Sequence, residues 1–331
     1  MRHAVIACAA LLCACGDDAG QGGLVLEHDF PAVRAAAGED LTTMCLSWRL
    51  GNDEPLWVHD VAMEAGPGWH HSNWFHVPEG FYPVDDGAWD CGGEFDDIAA
   101  GLAGGVLFAQ STQSTVETQA FGEGAALEVP PHSVVVGQIH IINATDAPLD
   151  ASLRFTLRAL APDEVVTELR PLALEFRPLA IPAGRSRFRA DCDLEARYDA
   201  PLDFAVHYVL PHYHALGRAM TLETYGGTRD GDTIFERAAT IGEPLGETMS
   251  PPRPVDGAQG LRFSCEYDNT TGATVTYGNR ADGEMCILLA FTDAPVLWGG
   301  GVLEGAPVSL GPDEDGVEEY GGDCDVYWVA R

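Results

Sequence analysis

Three groups of histidine carry the spacing that metal chemistry needs. The first is Trp69-His70-His71-Ser72-Asn73-Trp74, the second Gln138-Ile139-His140, and the third His212-Tyr213-His214-Ala215-Leu216-Gly217. Residues two apart on a strand share a face, so His212 and His214 would aim both imidazoles at one ion. Neighbours on a regular strand face opposite ways. His70 and His71 therefore share an ion only at a bulge, at a strand end or through different ring nitrogens. Each group alone also has a structural reading, since such pairs arise in half-exposed strands that hold no metal. A fourth segment adds a soft donor: Arg262-Phe263-Ser264-Cys265-Glu266-Tyr267-Asp268-Asn269 leads through Thr276-Tyr277-Gly278 to Asp282-Gly283-Glu284-Met285-Cys286. A buried methionine is usually core filler, but as a ligand its thioether favours Cu(I).

Taken in order, these motifs resemble the copper type II, ascorbate-dependent monooxygenases, a family that includes peptidylglycine α-hydroxylating and dopamine β-monooxygenases. The resemblance runs from about Thr43 to Cys324 through scattered motifs. It implies an all-β chain of two antiparallel, jelly-roll-like β-sandwich domains, with a copper site in each facing a water-filled interdomain cleft. His70, His71 and His140 match the ligands of an electron-supplying copper in the N-terminal domain. His212, His214 and Met285 match the catalytic copper in the C-terminal domain, and Gln138 matches a glutamine near the electron path. The implied reaction hydroxylates a C–H bond of a small organic substrate with dioxygen. Ascorbate or a similar one-electron donor is the co-substrate, each of two coppers per chain stores one electron, and no bridged dicopper cluster forms. The resemblance also implies the pairs Cys45–Cys91, Cys192–Cys324 and Cys265–Cys286, the last fixing the strand that presents Met285. His28, His59, His76, His132 and His207 have no family counterpart and read as core or surface residues.

The chain departs from the peptide-amidating branch where that branch grips a carboxylate. Leu210 stands two residues before the HxH in place of an arginine, and Ile287 and Leu289 replace an asparagine and a tyrosine after the Met-Cys. An anionic peptide terminus would meet an apolar wall, and unpaired charge there is costly. The expected substrate is instead neutral or cationic and partly apolar. A non-catalytic copper-binding surface lipoprotein is the rival reading, and a purely structural lipoprotein a third.

The elements that must position these residues are strands. Leu153, Phe155 and Leu157 alternate with Arg154, Thr156 and Arg158, a period of two that puts the apolar set on one sheet face. Val134-Val135-Val136 through Ile139, Ile141 and Ile142 is β-branched and ends at turn residues; Thr274–Tyr277 and Ile287–Phe291 read the same way. Ile98–Phe108 is the best helix candidate, although it contains three glycines. Leu179–Gly184 reads as the domain connection, giving an N-terminal copper domain over 31–178 and a C-terminal one over 179–331. The acidic stretch Pro312–Gly316 lacks regular calcium-ligand spacing and reads as a solvated loop.

Residues 1–15 read as an export signal: Arg2, then the apolar run Ala4–Leu12, then Cys13-Ala14-Cys15. The end of this run resembles a bacterial lipobox. Cys15 is thus the expected lipid anchor, followed by a flexible tether over 16–30, and the mature chain is expected at the outer membrane or cell surface as a monomer. Ordinary cleavage with release is the alternative. Export leaves six cysteines, Cys45, Cys91, Cys192, Cys265, Cys286 and Cys324, which read as three disulfides whose connectivity spacing alone leaves open. The chain has 331 residues, with 51 acidic against 18 basic side chains and a net charge of −33, which argues against a nucleic-acid partner. All basic residues are arginine; without lysine, Schiff-base and P-loop chemistry are excluded.

Overall fold

The computed structural model describes residues 23–330, apart from 83, 93–94, 239–240 and 281. The expected signal, Cys15 and the tether up to residue 22 lie outside the described residues. The remainder of the expected tether is ordered as strand: Leu24–Ala35 pairs antiparallel with Leu149–Leu160 and buries Phe30, Val33 and Ala35. Burial alternates along Leu149–Leu160 as the sequence pattern predicts, with Ala151, Leu153, Phe155, Leu157 and Ala159 facing inwards.

The chain is nearly all β, and its strands form two sandwiches. In the first, a five-stranded sheet runs Gly87–Asp90, Asp40–Arg49, Ser133–Ile142, Trp69–Pro78, Gly105–Ala109. It packs on Leu24–Ala35, Leu149–Leu160, Leu56–Ala65 and Ala125–Val129 around Phe30, Leu46, Val61, Trp74, Phe108 and Phe155. In the second, a six-stranded sheet runs Thr233–Ala238, Gly217–Tyr225, Gly260–Asn269, Gly184–Asp193, Glu318–Gly321, Val308–Pro312. It packs on Thr167–Phe176, Ile287–Thr292, Ala205–His212 and Val296–Val302 around Phe176, Phe188, Met220, Phe263, Tyr267 and Trp298.

The halves are joined by more than a connecting loop. Thr167–Phe176 begins parallel to Ala125–Val129 of the first half at Thr167–Leu169. It then inserts between Ile287–Thr292 and Val296–Val302 of the second. One sheet therefore continues through both halves. Apolar side chains follow it: Tyr208, Leu210, Leu289 and Phe291 of the second half pack into the core of the first, where the Phe121 ring lies 5.0 Å from Phe291. Among the described strands the ladders are antiparallel except those of Thr167–Phe176 with Ala125–Val129 and with Val296–Val302, and that between Gly184–Asp193 and Glu318–Gly321.

The helix candidate is half right. Asp97–Ala103 is helical, started by Asp96, whose carboxylate accepts from the Ile98 and Ala99 N–H groups. It stops at Gly104, where a Cβ would overlap the His76 carbonyl, and Gly105–Ala109 continues as strand beside Trp69–Pro78. Only glycine permits that close approach. The three disulfides join Cys45 to Cys91, Cys192 to Cys324 and Cys265 to Cys286. The acidic stretch is a turn in which Asp313 accepts from the Asp315 and Val317 N–H groups and from Arg187.

Candidate metal centre

His70 and His71 share a side because the strand that carries them is bulged. Trp69 pairs with Ile141 and His71 with His140, so His70 is the extra residue that the partner strand does not match. The ring centroids of His70 and His71 lie 4.6 Å and 5.1 Å from that of His140. His140 Nδ1 sits 3.3 Å from His71 Nε2, while its Nε2 donates to Asp40 at 2.6 Å. A carboxylate holding one ring nitrogen leaves the other as donor to a metal, a standard way of orienting histidine ligands.

In the second half Ala205–His212 ends at His212, and His214 lies in the turn beyond it rather than on the strand. Tyr213 points away into the second core, and its ring lies where a Cβ on Gly217 would stand, which accounts for the glycine of the HxHxxG. The turn is fastened by Glu284. Its buried carboxylate accepts from the backbone N–H groups of His214 (2.9 Å), Leu216 (2.6 Å) and Met285 (3.2 Å). The ring nitrogens facing away from the centre are also committed: His212 Nδ1 donates to the Gln110 carbonyl at 2.8 Å, and His214 Nδ1 to the Gly283 carbonyl at 3.0 Å. Nε2 of both rings is buried and makes no hydrogen bond, as are His70 Nε2 and His71 Nδ1. Four buried nitrogens without partners are the donor set a metal ion would satisfy.

The two sets do not stand across a cleft. The centroid of His71 lies 5.1 Å from His212 and 5.2 Å from His214, and that of His70 lies 5.7 Å from His214. Potential ligand atoms of His70, His71 and His140 lie within 4.8 Å of one another, and so do those of His71, His212 and His214. The expected water-filled separation is replaced by ring contact because the shared core and shared sheet hold the halves together. All five rings are only 3–8% exposed. Burial, with the neighbouring imidazoles adding to it, pushes His70 down to about 3 and His71 well below its usual range. Burial likewise holds His212 at about 3 and lowers His214; at His140 burial outweighs the opposing pull of Asp40. The rings are therefore neutral at pH 7, the form that binds metal.

Met285 is buried beside Cys286, and Tyr267 donates to its carbonyl at 2.6 Å. It lines a cavity of ≈ 200 Å³ together with His71, His140, His212 and Gln138. Gln138 donates its amide to the Thr42 carbonyl at 2.9 Å. Leu210, Ile287 and Leu289 form part of the same wall, so these three apolar side chains fall on one surface. His28 stacks on Trp48, His59 Nδ1 meets the Ala125 carbonyl, and His207 Nε2 faces Asp293; none of these joins the cluster. Nor do His76, buried on the same strand as the pair, or His132 in a left-handed turn. The residues that sequence reasoning leaves without a role are Asp40, Gln110 and Glu284. Glu284 has a signal, its place directly before Met285; Asp40 and Gln110 act at separations of 100 and 102 residues, with no local pattern.

No protein-family model matches the chain, and no curated protein matches it. Among solved structures it is similar to the major capsid protein P2 from bacteriophage PM2, at 10% identity and a TM-score of 0.33, over 81% of this chain and 97% of that one. It is also similar to the STIV MCP, at 9% identity and a TM-score of 0.35, over 82% and 96% respectively.

Proposed function

We propose that this chain is a copper-dependent monooxygenase that hydroxylates a C–H bond of a small organic molecule with dioxygen and an ascorbate-like reductant. One observation carries the reading: five buried neutral imidazoles cluster, and three of them, His71, His140 and His212, line a cavity with an apolar wall that Met285 also lines. Imidazole suits copper in both oxidation states and the thioether favours Cu(I), so the donor set fits that metal. Bound copper would supply one-electron storage and dioxygen activation. The chain's own part is to hold the donors, keep bulk water from them and present the substrate. Asp40, Gln110 and Gly283 fix ring orientations, Glu284 holds the turn that carries His214, and Leu210, Ile287 and Leu289 favour an uncharged group against the centre. The net charge of −33 repels anionic substrates and attracts cations at long range. Paired cysteines accord with export, and a lipid on Cys15 would place the enzyme at the outer membrane or cell surface.

The test is oxygen uptake by the copper-loaded protein with ascorbate across a panel of neutral, cationic and carboxylate-bearing organic molecules. The expected result is uptake that depends on a neutral or cationic substrate and yields a hydroxylated product. Copper bound tightly with no substrate-dependent uptake across the panel would assign the chain to copper binding without turnover.

A further inference from the structure

We propose that Glu117 is a positioning residue of the second ligand set: through the single peptide group between Gln110 and Ser111, its carboxylate orients His212 and strengthens it as a donor. This rests on the copper reading above and adds to it what sets the strength of one ligand. The starting point is an inverted pattern. Along the strand Val116–Ala120 the apolar Val116 is 58% exposed, while Glu117 and Gln119 face the interior and are buried. A strand with one buried face turns its apolar residues towards it, and a carboxylate there is costly. Gln119 is accounted for by its amide, which donates to the Leu107 carbonyl at 2.9 Å. Glu117 is committed to Ser111. Its two oxygens stand 3.2 and 3.0 Å from the Ser111 backbone nitrogen, and the Ser111 hydroxyl donates to it as well. Those bonds oppose the burial that pushes its carboxyl up to about 7.

The consequence follows from the planarity of the peptide bond. The Ser111 N–H and the Gln110 carbonyl belong to one trans peptide group and point in opposite directions. Glu117 holds the first, and the second accepts from His212 Nδ1 at 2.8 Å. A carboxylate on the N–H side polarises the group, so its carbonyl accepts more strongly. The ring is thereby fixed in its Nδ1–H form, and its buried, unpartnered Nε2 becomes the better donor. Asp40 does this for His140 by direct contact; at His212 the carboxylate works through one intervening peptide. That peptide has little freedom to turn away. The Gln110 N–H donates to the Ser72 carbonyl at 3.2 Å, and its side-chain amide donates to the Ser114 carbonyl. Ser111 Oγ accepts from the Leu245 N–H, in the other half of the chain, at 2.9 Å.

Two measurements on the full mature chain test this with Glu117→Gln, which keeps the volume and removes the charge. The first is nitrogen–proton NMR spectroscopy of the histidine side chains in the metal-free protein. The expected spectrum of the unaltered chain holds His212 as the Nδ1–H tautomer. In Glu117→Gln that proton moves upfield, while the ring signals of His140 and His214 keep their positions. A His212 signal that stays in place, or that moves only together with those of His140 and His214, would overturn the proposal. The second is anaerobic Cu(I) titration against a competing chelator. Glu117→Gln is expected to weaken one bound equivalent by about tenfold, the same one that His212→Ala weakens, and to leave the other unchanged. No loss, or an equal loss at both, would refute the relay. Should Glu117→Gln fail to fold, Glu117→Asp keeps the charge but draws it back from Ser111, and the same shift and the same selective loss are expected of it. Failure of the unaltered chain to bind copper would remove the function proposed above, and the metal-free spectra would still decide whether Glu117 orients His212.

Discussion

The carboxylate of Glu284 should be a structural anchor whose loss is felt first in stability and then in metal affinity. It is 1% exposed and collects three backbone donors from both sides of the second ligand set, His214, Leu216 and Met285. In Glu284→Leu the space is filled, so water cannot take the oxygens' place and three N–H groups are left buried without acceptors. At about 1–3 kcal/mol for each unsatisfied group, with partial relaxation, the loss should be about 4 kcal/mol. In a chain of this size that is on the order of 10 °C in Tm. Glu284→Gln keeps one oxygen. Placed at the Oε2 position it still accepts from His214 and Met285, and only the Leu216 N–H then faces an amide donor, so the loss should be about 1–2 kcal/mol. Thermal unfolding of the metal-free variants by circular dichroism reads the order directly: unaltered chain, then Gln, then Leu. Cu(I) titration should show the same order at the His212–His214 position. If both variants melt within about 2 °C of the unaltered chain, the carboxylate does not hold the turn and the account of the ligand loop is wrong.

Replacing Met285 with isoleucine keeps an apolar side chain and removes the soft donor; oxidation should be lost while the His70 side still fills, and sulfur scattering in the X-ray absorption of the Cu(I) protein should vanish. Survival of that scattering would place the sulfur ligand elsewhere. Asp40→Asn leaves an acceptor for His140 Nε2 but removes its charge, and should weaken one copper equivalent by about 10–100-fold in a competition titration; an unchanged affinity would show that Asp40 does not orient the ring. The pH dependence of the metal-free protein follows from the buried groups. The five rings have folded values below the ordinary 6.5, so their contribution is complete above pH 6.5 and is lost on acidification towards about 3, the value of His70 and His212. His70 and His212 each cost about 1.4 kcal/mol per pH unit in that window, and the lowered His71, His140 and His214 act with the same sign. Glu117 and Glu284, raised by burial to about 7, act the other way: their contribution is complete below pH 4.5 and is lost as pH rises to about 7. Asp97, raised to about 6, adds a smaller term of that sign. Five rings outweigh three carboxyls, so Tm should peak between about pH 6 and 7; a peak at pH 5 or below would mean that the imidazoles titrate freely.

What was legible in the sequence was what local pattern encodes. Alternation exposes the strands because burying one face requires every second residue to be apolar, as Leu149–Leu160 shows. The HxHxxG is readable for a similar reason: its glycine is required by the neighbouring Tyr213 ring, a contact within one turn of chain. The bulge at His70 is a condition the His-His pair imposes on its strand, and the strand meets it. The helix end is less legible, since Gly104 stops it through an approach to His76, on a strand that precedes the helix by many residues. Long-range partners leave no such trace. Asp40 and Gln110 serve histidines a hundred residues away, and nothing near either one announces it.

The distance between the two ligand sets is the least local quantity of all. No motif within either half encodes it; it is set where the halves touch, by Thr167–Phe176 pairing on both sides of the boundary and by Tyr208, Leu210, Leu289 and Phe291 leaving their own sandwich for the core of the other. Leu210 and Leu289 carry a second assignment, since both also line the cavity beside Met285. An arginine at Leu210 would bury its charge in the apolar core that joins the halves, a cost of several kcal/mol without a partner. The apolar wall of the cavity and the close approach of the histidine sets thus rest on the same side chains. Substitutions that admit a charged substrate at Leu210 or Leu289 would also loosen the junction that brings His71 to His212.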